Sequence, residues 1–163
     1  MSEPLTSIAL VALHPGDADT IAAWGDDPEF LRAAEWSTGS THDDRSSRLR
    51  RLIETPPVDL LRLGVQHEGV LVGYVDLRGT DGHERELGYV IGDRWRWGRG
   101  LGFAAASAAC TFGFEDLGLT VITAEVAAAN TRSIAILNRL GMRELGATGT
   151  SERRRFVLRR HDA

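Results

Sequence analysis

Lysine is missing from this chain: all 19 basic residues are arginine. Its absence excludes Schiff-base and Ser-Lys chemistry, and it excludes the Gly-Lys-Ser/Thr loop that cradles a nucleoside triphosphate. Cysteine is reduced to Cys110, so no internal disulfide can form. The 5 histidines stand at metal-ligand spacing neither from it nor from one another, and no bound metal is expected. No apolar run approaches the roughly 18 residues of a membrane span. Residues 1–13 lack the basic start, long apolar centre and small-residue cleavage site of a secretory signal. These absences predict a cytoplasmic protein that binds no membrane.

What is present is the composition of a globular chain. With 163 residues, 42% of them hydrophobic and 26% charged, the length fits one domain spanning residues 1–163 with its own core. Charge is divided unevenly. Residues 1–93 hold 8 Arg against 17 Asp and Glu, a net −9, and residues 94–163 hold 11 against 6, a net +5. Complementary halves fit a site where an anionic ligand meets a cationic one, because each field concentrates its partner. Solvated surface charge without function is the alternative.

Ser7–Leu13 is apolar and β-branched enough for a first strand. Asp17–Trp24 reads as a short helix with acids in its first turn, Asp27-Pro28 punctuates, and Glu29–Glu35 adds a helical turn or two. Thr41 and Asp44 form a capping pair, opening a helix with Leu49, Leu52 and Ile53 on one face that stops before Pro56-Pro57. From Leu60 the period changes to two. Leu61, Leu63 and Val65 alternate, Glu68-Gly69 turns, and Val70–Leu77 returns as the second arm of a hairpin. Glu86–Ile91, after the Asp81-Gly82 turn, completes three antiparallel strands in series. Phe103, Ala106, Cys110, Phe114 and Leu117 make one stripe of an amphipathic helix closed by Gly118. Thr120–Val126 is β-rich. Asn130 caps a helix with Ile134, Leu137 and Leu140 inward and Gly141 at its end, and Phe156–Leu158 is the last strand. The order β, helices, βββ, α, β, α, β predicts an α/β fold.

Between the third of the serial strands and the Phe103 helix lies Arg94-Trp95-Arg96-Trp97-Gly98-Arg99-Gly100-Leu101-Gly102. Three alternate glycines let backbone N–H groups turn toward one point, directly before a helix N-terminus whose unpaired donors and dipole favour an anion. The arginines add charge that pairs readily with phosphate oxygens. A dinucleotide fingerprint would follow the first strand and carry an acid about 20 residues on. Here its third glycine position is Ala105, and Thr120 stands where the acid should be. What remains is a phosphate cradle of another kind, or a flexible turn with surface arginines.

Gly73-Tyr74-Val75, Glu86-Leu87-Gly88-Tyr89, Trp97-Gly98-Arg99-Gly100, Asn130-x-x-Ser133 and Leu140-Gly141-Met142, in this order and spacing, resemble the GNAT superfamily of N-acetyltransferases. Gly100-x-Gly102 fits the glycines of that superfamily's pyrophosphate loop. Trp97 stands where Gln or Arg is usual, and Trp-Gly-Arg-Gly resembles the RimJ/RimL-type branch. With Ala18, Trp24 and Asp27-Pro28 at its start, the likeness covers nearly the whole chain. It implies a single GNAT-like domain of mixed α/β (α+β) type, with antiparallel strands, a splayed central pair and helices on both faces. It also implies acetyl-CoA as the acyl donor. Tyr89, Val90, Ile91 and Gly92 would offer backbone groups to the pantetheine arm. Trp97, Gly98, Arg99, Gly100, Leu101, Gly102 and Phe103 would hold the pyrophosphate, and Asn130 would contact the cofactor beyond the splayed strand.

Acetyl transfer to an amine requires a neutral amine, a polarised carbonyl and a departing thiolate, and free amines are mostly protonated at pH 7. Glu86, eleven residues before Trp97, matches the base position of the histone-acetylating branch; Glu125, five before Asn130, matches that of the RimI-type enzymes. Each is otherwise a solvated or ion-paired strand carboxylate. The tyrosine acid of many superfamily members is replaced by Leu137. Ser133 holds the place of the serine assigned this role in RimL-type enzymes, and helix capping is its other reading. The implied acceptor is a protein N-terminal α-amine or a small cationic amine such as an aminoglycoside, and a homodimer is left open. A non-catalytic acyl-CoA sensor, motivated by Leu137, and a ribosome-associated interaction protein are the alternatives. DNA is not expected as a partner: arginines in the Arg153–Arg155 and Arg159–Arg160 clusters alternate between strand faces, and the chain is acidic overall.

Overall fold

The computed structural model describes residues 6–147 and 152–163; of the segment 1–13, read above for a leader, the first five residues lie outside the described residues. Strand β1 (Ala9–Val11) leads into helices α1 (Asp17–Trp24), α2 (Pro28–Ala33) and α3 (His42–Glu54). Strands β2 (Leu60–His67), β3 (Val70–Arg78) and β4 (Glu84–Ile91) follow, then a 3₁₀ turn at Arg94–Arg96 and helix α4 (Leu101–Glu115). The chain closes with β5 (Val121–Ala127), α5 (Thr131–Arg139), β6 (Arg143–Ala147), β7 (Arg153–Arg159) and a second 3₁₀ turn.

The local sequence accounts for the helix starts. Asp27 Oδ1 accepts from Glu29 N–H at 3.0 Å with Pro28 in the first helical position, so α2 begins there. The Thr41–Asp44 pair is a complete capping box, each side chain accepting from the other's backbone N–H. Asn130 Oδ1 accepts from Ser133 N–H at 3.1 Å and starts α5.

One sheet takes the order β1-β2-β3-β4-β5-β7-β6. Every neighbouring pair is antiparallel except β4 and β5, which run parallel. Their pairing is confined to Glu84 with Val121, Arg85 with Ile122 and Glu86 with Thr123. Beyond Glu86, β4 stays with β3 as far as Ile91, while β5 stays with β7 along its whole length. The two central strands therefore part, which is the splay the family resemblance implied.

Side-chain alternation then sorts the two faces. Val75, Leu77, Leu87, Ile122 and Phe156 pack against Ala105, Ala106, Ala109, Cys110 and Phe114 of α4, with Ile134 and Leu137 of α5 joining them. On the other face Tyr74 and Val90 meet Ile21, Trp24 and Phe30 from α1 and α2. Helices thus cover both faces of a mixed α/β domain, as expected. Each fully buried Leu, Ile or Phe contributes about 1.5–3 kcal/mol, and the alanines of α4 let its backbone lie close to the sheet.

Three details differ from the sequence reading. Strand β6 was not foreseen, because Arg143–Ala147 shows no apolar alternation and Gly146 takes φ 90° in an irregular register with β7. The buried positions of α3 are polar: Arg45 donates to Ala22 O and Ser40 O and pairs with Asp26, and Ser46 bonds Asp19, whereas Leu49, Leu52 and Ile53 are half-buried. Phe103, the first member of the α4 stripe, is only half-buried and faces a cavity rather than the core.

Candidate active site

The glycine-rich segment is held at both ends. Gly92 lies against α1: a Cβ there would fall 2.2 Å from the Trp24 ring, so only glycine lets β4 and Trp24 approach. Trp97 Nε1 donates to Ile91 O at 2.8 Å, folding the loop back onto the end of β4. Gly98 and Gly100 take φ 77° and 83°, left-handed conformations that turn the chain into α4. Gly100 is the N-cap of α4 and supplies no side-chain cap. Among the described residues no side chain caps this 15-residue helix, which leaves its first-turn N–H groups available at the positive end of its dipole.

Above this turn lies a cavity of about 670 Å³ that runs along the stretch of β4 left unpaired by β5. Tyr89, Val90 and Ile91 form its β4 wall. Trp97, Gly98, Gly100, Leu101, Gly102 and Phe103 form its floor, and Asn130 and Ser133 at the start of α5 stand opposite. Phe30, Ala33 and Ala34 of α2 and its end line the far side, so the cavity reaches from one face of the sheet to the other. Of the residues singled out for the cofactor, Gly92 and Arg99 do not line it. Gly92 seats Trp24, and Arg99 O accepts from Thr6 Oγ1 at 3.2 Å while its guanidinium lies 5.5 Å from the Trp95 ring.

Three arginines line the cavity: Arg96, one of the loop arginines the sequence offered for phosphate, and Arg132 and Arg139, which the sequence reading passed over. Aromatic rings hold all three, Arg96 at 4.0 Å over Trp95, Arg132 at 4.8 Å over Trp97 and Arg139 at 3.9 Å over Phe103. The signal was there in α5, where residues 132, 136 and 139 share the helical face opposite Ile134 and Leu137.

The catalytic candidates separate. Ser133 lines the cavity, with its N–H held by Asn130. Glu86 is exposed at the root of the splay, outside the cavity lining, on the same sheet face as Asp76 and Tyr74. Glu125 shares that face on β5, beyond the last β4–β5 pair, and its Oε1 accepts from Arg153 Nε at 2.6 Å. Tyr89, which had been assigned only backbone contacts, places its hydroxyl 3.5 Å from Ser133 O, and burial pushes its pKa up. Cys110 is buried in the core, where desolvation raises its thiol to about 12. Among the described residues no cluster of His, Cys, Asp and Glu could hold a metal, and no helix is long and apolar enough to cross a membrane.

A free helix terminus, an unpaired strand edge and a passage between the two faces together describe a site for a long anionic ligand that meets a second substrate from across the sheet. The chain belongs to the acetyltransferase (GNAT) domain family, which matches residues 7–143. It is 27% identical over 135 residues to an uncharacterized N-acetyltransferase, p20, of Bacillus licheniformis, covering 80% of this chain and 75% of that protein. Its fold is that of aminoglycoside acetyltransferase AAC(6')-Ib, solved in complex with coenzyme A, with TM-score 0.81, 17% identity and 96% of each chain covered. It also superposes on spermidine N-acetyltransferase from Vibrio cholerae, solved with coenzyme A and spermine, with TM-score 0.79, 19% identity and 95% and 96% of the two chains covered. The protein is an acetyltransferase of the GNAT family.

Proposed function

We propose that the protein moves an acetyl group from acetyl-CoA to a small cationic primary amine by direct transfer in a ternary complex, as a member of the RimJ/RimL-type branch. The observation that carries this reading is the cavity beside the splayed β4–β5 pair, with a cationic rim on one face of the sheet and α2 residues on the other. The residues present fit coenzyme A. Left-handed Gly98 and Gly100 leave no Cβ over the amides of the α4 terminus, and Arg96, Arg132 and Arg139 bring positive charge to the same wall.

Acetyl-CoA supplies an activated thioester. The diphosphate sits on the amides of Gly98–Gly102, and the pantetheine arm follows the edge of β4 that β5 leaves unpaired. Backbone N–H groups of that edge polarise the carbonyl without any special side chain. The amine enters past Ala33 and Ala34 and gives up a proton, relayed by water, to the carboxylate of Glu86 at the splay root, since Arg153 already occupies Glu125. The departing thiolate is met by two hydroxyls, those of Ser133 and Tyr89. Tyr89 is the stronger donor, because a phenol is far more acidic than an alkanol, and burial keeps it protonated.

The small-amine acceptor is supported by Glu35, which follows Ala34 of the cavity lining in the chain, and by Glu125 on the sheet face that carries α2. A thiol-release assay with acetyl-CoA tests the reading against a panel of monoamines, diamines, aminoglycosides and peptides with free N-termini. Release with small amines is expected. Release only with peptides would transfer the acceptor to protein N-termini, and coenzyme A binding without release from any amine would make the protein a sensor.

A further inference from the structure

A second cleft, of about 300 Å³, opens on the sheet face that carries α1 and α2, with residues of α3 along one side. That volume is at the small end of the roughly 300–1,000 Å³ range of ligand sites. One layer of side chains parts it from the larger cavity. Tyr74, which lines the cleft, pairs across the sheet with Val90 of the larger cavity, and Trp36 of the cleft meets Phe30 of the larger cavity edge-on at 4.9 Å. The Trp36 ring with Leu49 and Leu52 of α3 supplies the apolar part of its lining.

Hydrogen bonding inside the cleft is lopsided toward donors. Arg62 directs Nε and Nη2 at Asp76, and Arg48 directs Nη2 at Ser40 Oγ. Nη1 of Arg62 and both Nε and Nη1 of Arg48 therefore have no acceptor among the described residues. Tyr74 is 4% exposed; its hydroxyl accepts from Trp36 Nε1 at 3.2 Å and donates to nothing among the described residues. Burial pushes its pKa up, so the proton stays on the oxygen. The carboxylate in the lining, that of Glu35, already accepts from Arg153. Charge runs the same way: Arg45 is paired with Asp26 and Arg62 with Asp76, whereas Arg48 pairs with no carboxylate among the described residues. Free donors with one unneutralised guanidinium suit a ligand that brings acceptors and a negative charge. We propose that this cleft is a binding site for a small carboxylate with an apolar body: its oxygens accept from Arg48, Arg62 and the Tyr74 hydroxyl, and its body lies against Trp36, Leu49 and Leu52. The site goes beyond acetyl transfer and does not depend on it.

Phenylacetate, phenylacetamide and benzylamine share a body and differ in the head, so titrating each into the isotope-labelled full chain saturated with coenzyme A tests the site. The readout is the indole N–H resonances of the 4 tryptophans by NMR. Phenylacetate is expected to shift Trp36 with a Kd on the order of 1 mM, the scale for a ligand of about ten non-hydrogen atoms. Trp97, whose Nε1 donates to Ile91 O beside the larger cavity, should stay in place. Phenylacetamide should bind about tenfold more weakly, the difference between a charge-assisted and a neutral hydrogen bond, and benzylamine should leave Trp36 unmoved. Arg48→Gln and Tyr74→Phe should each weaken phenylacetate about fivefold. Arg51→Gln, which removes an equal charge from an exposed position of α3 outside the cleft, should change nothing. No shift of Trp36 at tenfold the expected Kd, equal binding of the three compounds, movement of Trp97 in place of Trp36, or an equal loss from Arg51→Gln would overturn the site. Coenzyme A that itself moves no resonance would count against the cofactor reading, and the same titration of the free chain would still decide the carboxylate site.

Discussion

At φ 83° any side chain on residue 100 is strained, and a Cβ there would lie 3.1 Å from Thr6 Oγ1. Gly100→Ala is expected to cost about 1–2 kcal/mol in denaturant unfolding and to weaken coenzyme A at least about tenfold by calorimetry, because the amides of the α4 terminus are re-aimed. Tyr89→Phe is expected to lower kcat by about 100-fold while leaving the KM for acetyl-CoA unchanged, the signature of an interaction made only as the thiolate departs. Ser133→Ala run beside it assigns the donor: the larger loss marks the group that protonates sulfur. Cys110 has the opposite character. Burial raises its pKa from 9.0 to about 12, so folding favours the neutral thiol. That contribution is complete below pH 9 and is lost as the pH climbs toward 12. Native protein should therefore resist thiol reagents at pH 8, and Cys110→Ala should flatten the alkaline fall of stability measured in urea. The glycines of the loop were legible in the sequence because nothing else tolerates positive φ so readily. Arg132 and Arg139 were not, because an arginine on a helix says nothing of the ring beneath it until the fold supplies Trp97 and Phe103. The standing of Glu125 depends on Arg153, a residue 28 positions away.

Among the elements, α3 and α5 announced their starts through side chains that cap them, α2 through the Asp27-Pro28 punctuation, and β2 to β4 through alternation and their turns. What the pattern missed was polar burial and an irregular edge. Residues that pack by hydrogen bonding, such as Arg45 and Ser46 on α3, carry no apolar signature, and β6 gains its pairing from β7 rather than from its own sequence. The same holds for Asp76 on β3, which takes both Nε and Nη2 of Arg62 at 2.7 and 2.9 Å with both side chains about one-tenth exposed. Burial works most strongly against the Arg62 charge, but the hydrogen bonds to Asp76 together with the charge interactions of Tyr74 and Asp76 outweigh it, so its pKa rises. Asp76→Ala leaves that guanidinium buried beside Tyr74 without its carboxylate. It should cost about 3–5 kcal/mol in equilibrium unfolding; a loss below about 1 kcal/mol would mean that water takes over the partner's place.

For the molecule as a whole, the division into an acidic first half and a basic second half proved partly spatial. Arg96, Arg132 and Arg139 from the basic half meet on the cavity wall, and Glu35 from the acidic half stands beyond its α2 side, but Glu125 crosses that division. The splay could not be derived from local pattern, since it depends on which distant strand each half of the sheet prefers. It came from the likeness to a family, and the register of β4 with β5 explains it. The crystal structure of the protein soaked with acetyl-CoA is the most direct test. Density for the diphosphate on the amides of Gly98–Gly102, with the pantetheine arm running along Tyr89–Ile91 toward the splay, is expected. A diphosphate bound elsewhere, or an arm that leaves the gap between β4 and β5 empty, would contradict the assignment of this passage as the place where acetyl transfer occurs.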